Sequence, residues 1–351
     1  MFGRSKGKGN YAYTATKAKA MKSLLIKEDD YNKMLQLSVS ELAHFTAEAG
    51  YSKEITELGD KTEGVDLVER ATYAYMANTF KILLNGSQGE LNTLLSAYLQ
   101  KWDNWNVKVI LRGKSYGLKA EEIRADLVPA GSISAEALER LIALETSEEV
   151  IAAFSKAESI QIPQEIMNQF KADGNLGGIE DYIDKFQYVR LIKSIPSNSI
   201  ATRMFLDYVR REVDIRNLET ILKLKVEGIT GDKVMEYVIP GGKQIDGKFA
   251  KQLADAEKVS DTYSDLAQLE FYEYIKELID RGDMTVRDLI LSTKRYEIAE
   301  AKKFSSEYPL SILPVIDYMI NMENEARNIR TIARGIESGL DRDVIKGLLV
   351  I

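Results

Sequence analysis

The sequence predicts an all-α protein built from three tandem copies of one helical unit. The stretch Trp102–Gly131, WDNWNVKVILRGKSYGLKAEEIRADLVPAG, returns 111 residues later as Val213–Gly242 and again from Asn324 onward. A fixed internal period of this kind marks a repeat architecture. Apolar residues recur at i, i+3/i+4 and i+7, and no segment sustains the period-two alternation of a strand. Pro/Gly loops punctuate the helical runs at corresponding places.

Within the repeat, Asn106, Asn217 and Asn328 fall in register, as do Gly117, Gly228 and Gly339. Ile110, Ile221 and Ile332 also align, as do Ile123, Val234 and Ile345, while position 103 reads Asp103, Asp214 and Glu325. The glycines stand where each long helix should stop, because a left-handed residue after the helix end costs glycine nothing. The asparagines are expected to be structural, each amide satisfying a contact between packed helices.

Taken in order, residues 1–10 form a flexible basic tail carrying Arg4, Lys6 and Lys8 among glycines. A helix starts at Tyr11, with Tyr13, Lys17, Ala20, Met21 and Leu24 at helical spacing. Ser38 followed by Glu41 reads as a capping box, in which hydroxyl and carboxylate satisfy two of the first unpaired amides of a short helix. From Asp66, DLVERATYAYMANTFKILL is an amphipathic run. Gly86-Ser-Gln-Gly turns the chain into the long helix of about 26 residues, roughly 39 Å at 1.5 Å per residue. The same turn recurs as Pro196-Ser-Asn-Ser and near Tyr308-Pro309, and Asp288-Leu289 lies two periods after Asp66-Leu67. Past Gly117 a short helix has Glu121 and Glu122 in its first turn, where they complement the dipole. The register divides the chain into the tail 1–10 and units 11–128, 129–239 and 240–351.

Composition bounds the function. With 351 residues and 45% hydrophobic residues the chain can form a substantial core, and its size calls for more than one domain. A net charge of −7 and a pI near 5.2 argue against a general nucleic-acid binder. Without cysteine there is neither a disulfide framework nor a thiolate metal site. The most apolar run, Leu310 to Met319, is broken by Ser311, Pro314 and Asp317, so no direct bilayer insertion is expected. No signal peptide is read ahead of Tyr11. If the protein meets a membrane, the expected route is through another protein.

No catalytic, cofactor-binding or metal-binding set emerges. Gly242-Lys-Gln-Ile-Asp-Gly247-Lys248 has the spacing of a phosphate-binding loop, but Phe249 stands where a hydroxyl should hold Mg²⁺, and no strand precedes it. A linker is the better reading. His44 is the sole histidine, too few for a His-based metal site or a catalytic triad. Asp29-Asp30 lacks the further aspartates of an acidic metal motif and reads as a solvated helix start.

The run Trp102-Asp-Asn-Trp-Asn-Val-Lys-Val-Ile-Leu-Arg-Gly-Lys114, followed by Gly117, a helix and Leu127-Val-Pro-Ala-Gly131, resembles the C subunit of archaeal A-type ATP synthases. That family includes the V-type bacterial counterpart and, more distantly, the d subunit of the eukaryotic V-type ATPase. Tyr11 to Leu25 is similar to the family's opening helix and Ser38 to Phe45 to its next. Members commonly carry arginines where this chain has Lys17 and Lys19, whose ammonium groups cannot make a planar bidentate contact. The resemblance implies a non-catalytic rotor adaptor, a funnel of three pseudo-three-fold-related helical domains. It would sit on the cytoplasmic end of the proteolipid ring and receive the D and F subunits of the central stalk, as one copy in a hetero-oligomeric complex without cofactor. The contrasting class is a soluble helical-repeat scaffold that binds peptides in a groove, whose usual repeat is about a third as long.

Overall fold

The computed structural model describes residues 9–282 and 284–351, so most of the basic tail expected over 1–10 lies outside the described residues. All regular structure among them is helical, with no strand. The chain forms two compact units. The first comprises residues 9–14, 23–187 and 322–346; the second comprises 15–22, 188–321 (283 apart) and 347–351.

The first unit is organised on a helical hairpin, Gly64–Gly86 and Gly89–Ser115, joined at Ser87-Gln88. Asn10 ties this turn, donating to the Gly86 carbonyl at 2.7 Å and accepting from the Gln88 amide at 2.9 Å. Val39–Thr46, with the expected Ser38/Glu41 capping box, and Ser52–Gly59 pack on the first arm. Between them the helical path widens at Ala47–Tyr51, where Gly50 takes φ 116° and turns Tyr51 inward. Ala135–Ile142 and Ser147–Glu158 pack on the second arm. Val107, Ile110 and Leu111 of that arm meet Ile123, Leu138, Phe154 and Ile179 in one dry cluster. A side chain such as Ile110, fully buried, contributes roughly 1.5–3 kcal/mol by leaving water.

The second unit repeats the construction on Ile200–Val226, against which Gly247–Asp255 and Val286–Glu307 pack. Its cluster joins Leu218, Ile221 and Leu222 to Val234, Leu253, Phe271, Ile275 and Leu289. Both cores cross the register marks at 128 and 239. Each draws on a long helix before the mark and on short helices and a hairpin arm after it.

The three long helices run 27, 27 and 25 residues, Gly89–Ser115, Ile200–Val226 and Leu313–Glu337. Each ends in the same Schellman motif. Gly117, Gly228 and Gly339 have φ of 69°, 77° and 67°. Leu118, Ile229 and Leu340 then donate back to the carbonyls of Gly113, Leu224 and Gly335 at 2.9, 2.9 and 3.0 Å. These bonds satisfy carbonyls that the helix end would leave open. Just before the stop, the copies trade volume. A Cβ on Gly113 or Gly335 would lie 2.5 or 2.7 Å from Ile123 or Ile345, whereas the second copy combines Leu224 with the smaller Val234.

Two substitutions separate these effects. A Cβ at Gly117 meets nothing within 4 Å, so Gly117→Ala should cost about 1 kcal/mol through its positive φ alone. Gly113→Ala gains helix propensity but collides with Ile123, and about 1–3 kcal/mol of overpacking should outweigh that gain. Chemical denaturation of Gly113→Ala, Ile123→Val and the double variant should show the valine relieving part of the loss. Additive effects would remove the packing explanation.

Candidate functional site

The repeated polar positions form a clasp between each long helix and the chain beyond it. Asn106 donates from Nδ2 to the Val128 carbonyl at 2.9 Å and accepts from the Val128 amide at 2.7 Å. Asn217 makes the same pair with Ile239, at 2.8 Å each way. The amide's partner is thus a loop residue rather than a second helix. Val128 and Ile239 precede Pro129 and Pro240, which disfavours helical backbone there, and no ladder or helix pairs their groups. Asn328, also buried, hydrogen-bonds the Tyr31 side chain.

One turn earlier lies an acid. Asp103 accepts from the Ser132 amide and hydroxyl and the Ile133 amide at 2.8–2.9 Å. Asp214 accepts from the amides of Lys243, Gln244 and Ile245 at 3.1, 2.8 and 2.9 Å. The loops approach so closely that a Cβ on Gly131 or Gly242 would lie 2.0 or 2.2 Å from the carboxylate, which explains both glycines. Glu325 instead accepts from the Ile26 amide and the Tyr51 hydroxyl, so the beginning of the chain completes the third copy's clasp. Burial raises all three acids above the ordinary carboxylate range against the pull of their donors, Asp214 to about 6 and Glu325 to about 7.

Lysines one turn before the helix stops add a tie that the sequence reading missed. Lys114 donates to the Ile142 carbonyl, and Lys225, whose pKa burial lowers, donates to Ala254 at 3.0 Å and to Ala256. Their shared register was the available signal. Ion pairs between copies repeat as well. Arg112 holds Glu180 through Nε at 2.7 Å, and Arg334, two periods on, holds Glu69, one period before Glu180, at 2.9 Å. The third equivalent of Glu180 is Leu291, and Lys223 contacts Glu219 on its own helix.

The phosphate-loop lookalike is committed elsewhere. The Lys243, Gln244 and Ile245 amides that would cradle an anion already donate to Asp214. Asp246 caps the following helix, Gly247–Asp255, by accepting from the Phe249 amide at 2.8 Å. Asp29 and Asp30 lie in the first turn of Glu28–Met34, where Asp30 pairs with Lys33 at 2.9 Å, and His44 is exposed on Val39–Thr46. Among the described residues no three His, Asp or Glu side chains are grouped to hold a metal ion, and no helix is long and apolar enough to cross a membrane. An open cavity of about 790 Å³ lies within the first unit, walled by Tyr73, Trp105, Leu127, Arg330 and Arg334.

The sequence matches the family model described as ATP synthase (C/AC39) subunit over residues 14–348. It is 35% identical to a protein of Methanococcoides burtonii, covering 99% of this chain and 96% of the relative. A protein of Methanosarcina mazei is 34% identical over 99% and 95% of the two chains. One of Archaeoglobus fulgidus is 34% identical over 98% of each. All three relatives are named as the C subunit of an A-type ATP synthase.

Calorimetric titration of the purified chain with ATP and Mg²⁺ should give no saturable binding. Binding that disappears in Lys248→Ala would contradict the assignment of that loop. The clasp makes a pH-dependent claim. Glu325 binds its proton more tightly folded than unfolded, so the fold should lose stability as pH rises from about 4.5 to about 7 and stay level above. Glu325→Gln cannot ionise. Urea denaturation should therefore show the stability difference shifting toward the Gln variant between pH 5 and 7, and a constant difference would refute it.

Proposed function

Because the chain belongs to the ATP synthase (C/AC39) subunit family, we propose that it is a non-catalytic rotor adaptor that couples the D and F subunits of the central stalk to the proteolipid ring. On this reading it stands on the cytoplasmic face of the membrane and is held there by the ring rather than by a span of its own. The three copies would form three pseudo-three-fold-related domains around a funnel, with the register units 11–128, 129–239 and 240–351 as its sequence basis. Asn106, Asn217, Asn328, Gly117, Gly228 and Gly339 then serve as structural positions rather than contact residues.

The observation that carries the proposal is the recurrence of one inter-copy tie. Arg112 to Glu180 joins copy one to copy two, and Arg334 to Glu69 joins copy three to copy one. The tie recurs at two of the three register places, which suits copies that must hold together under torque. Copies of unequal sequence also suit an adaptor that mates one asymmetric stalk with a ring of another symmetry, which a symmetric homo-oligomer would do poorly.

Detergent-solubilised membranes should yield proteolipid and stalk proteins with this chain as bait, and a chain recovered free of both would overturn the proposal. With a net charge of −7, the joint to a basic stalk foot should be polar and steered by charge. Titration with the purified D–F pair should therefore show affinity falling roughly tenfold or more between low and physiological salt. Salt-independent binding with a large negative heat-capacity change would indicate an apolar socket instead.

A further inference from the structure

The second unit separates its charges along one long helix. Three of its segments meet at the start of Ile200–Val226. Residues 188–206 lead into that helix past Pro196 and carry Arg190, Lys193 and Arg203 without an acid. Val286–Glu307 packs on Ile200–Val226 and runs antiparallel to it. Lys294 lies in the field of Glu219, whereas further along Arg211 pairs with Glu300 at 2.9 Å and stands over Phe304 at 5.5 Å. The last turns of Val286–Glu307, with Lys302 and Lys303, and the turn 308–312 therefore lie at the same end. Lys22 pairs with Asp317 at 2.5 Å and so holds residues 15–22, which also carry Lys17 and Lys19, beside the start of Leu313–Glu337.

Across 15–22, 188–206 and 301–316 there are eight lysines and arginines and one acid, Glu307, in a chain whose net charge is −7. Lys22 is neutralised by Asp317, and Lys303 reaches Glu300 at 3.7 Å. Lys193, Arg203 and Lys302 are exposed, and none of them has a carboxylate partner among the described residues. The acids of the unit gather elsewhere. Residues 255–280 hold eight of them against two lysines, and Lys225 ties the start of that segment to the opposite end of Ile200–Val226 through the Ala254 and Ala256 carbonyls. Gathered cations repel one another, a cost that an external anionic surface lifts. Two apolar side chains project among them, Ile200 at 54% and Leu310 at 68% exposure. Single apolar side chains on turns, flanked by cations, suit the boundary between headgroups and acyl chains, where lysine stems lie along the apolar layer and their ammonium groups stay at the phosphates. They do not make the continuous apolar centre of a protein–protein joint.

We infer that this end of the second unit binds the anionic headgroups of a lipid bilayer. Lys193, Arg203, Lys302 and Lys303 attract the phosphates, and Ile200 and Leu310 enter the interface between them. The opposed charge at the far end of the unit turns the cationic end toward the membrane. The inference rests on the proposed place in a membrane-bound synthase, which brings the chain to a bilayer, and adds to it a lipid contact made by this chain itself.

The test floats the purified full-length chain with vesicles of equal parts phosphatidylcholine and phosphatidylglycerol at low salt. These should carry it upward, and vesicles of phosphatidylcholine alone should not. Lys302→Glu with Lys303→Glu should weaken binding roughly tenfold or more. Ile200→Ser with Leu310→Ser, which leaves the charge unchanged, should weaken it roughly threefold or more. Lys258→Glu with Lys276→Glu, the same charge change in the acidic segment, should leave it within about twofold. Equal recovery with both vesicle types, recovery with neither, or an equal loss in the two charge-reversal pairs overturns the inference. In the assembled synthase, benzoylphenylalanine in place of Leu310 should crosslink to lipid on irradiation, and crosslinks to an acidic protein segment instead overturn the lipid assignment. A chain that binds anionic vesicles but leaves solubilised membranes without proteolipid or stalk proteins overturns the functional reading and not this one. A chain that leaves with them but ignores anionic vesicles does the reverse.

Discussion

A buried carboxylate at one register position of each long helix is the constraint on which the rest depends. Asp103 and Asp214 gather consecutive loop amides that belong to no helix, and an anion supplies only acceptors to a segment that presents only donors. One turn later the need is different. The residue before proline shows both N–H and C=O, and asparagine answers with one acceptor and one donor. Desolvation raises the acids toward neutrality, and the clustered donors limit the rise. With these bonds in place the chain can leave a long helix, reverse and cover that helix with the short helices behind the loop.

The third copy meets the same position with different partners. Glutamate, one methylene longer, replaces aspartate and finds the Ile26 amide and the Tyr51 hydroxyl, 299 and 274 residues away in sequence. Nearby, Arg334 meets Asp66 and Glu69 across a comparable separation. The first unit is therefore closed by contacts between segments far apart in sequence. Loop-closure entropy makes such contacts costly to form early, so the local helices are the natural first structures and this joint a late one.

Symmetry within the repeat is kept where backbone must be satisfied and relaxed where surface is presented. The Schellman glycines answer one backbone demand in all three copies, and the clasp acids and asparagines answer one in the first two. Trp105, Val109 and Leu291 depart from their counterparts at positions facing a cavity or lacking an inter-copy ion pair. Packing also tolerates paired change, as Leu224 with Val234 does for Gly113 with Ile123.

The helices, their stops and the repeat were legible in the sequence because their causes are local: a capping serine, a 3.6-residue apolar period, a glycine free to take positive φ. Gly117, Gly228 and Gly339 could be read as helix ends without any knowledge of what surrounds them. The family was legible as well, through the run from Trp102 to Lys114. What the asparagines bind, why Gly131 and Gly242 stand where they do, and that Tyr51 reaches Glu325 came only from tertiary structure. Each depends on a partner brought near by folding, and spacing along the chain carries no record of it. The cavity belongs to the same class, since its walls come from residues as far apart as Leu58 and Arg334, and only packing puts Trp105 beside them.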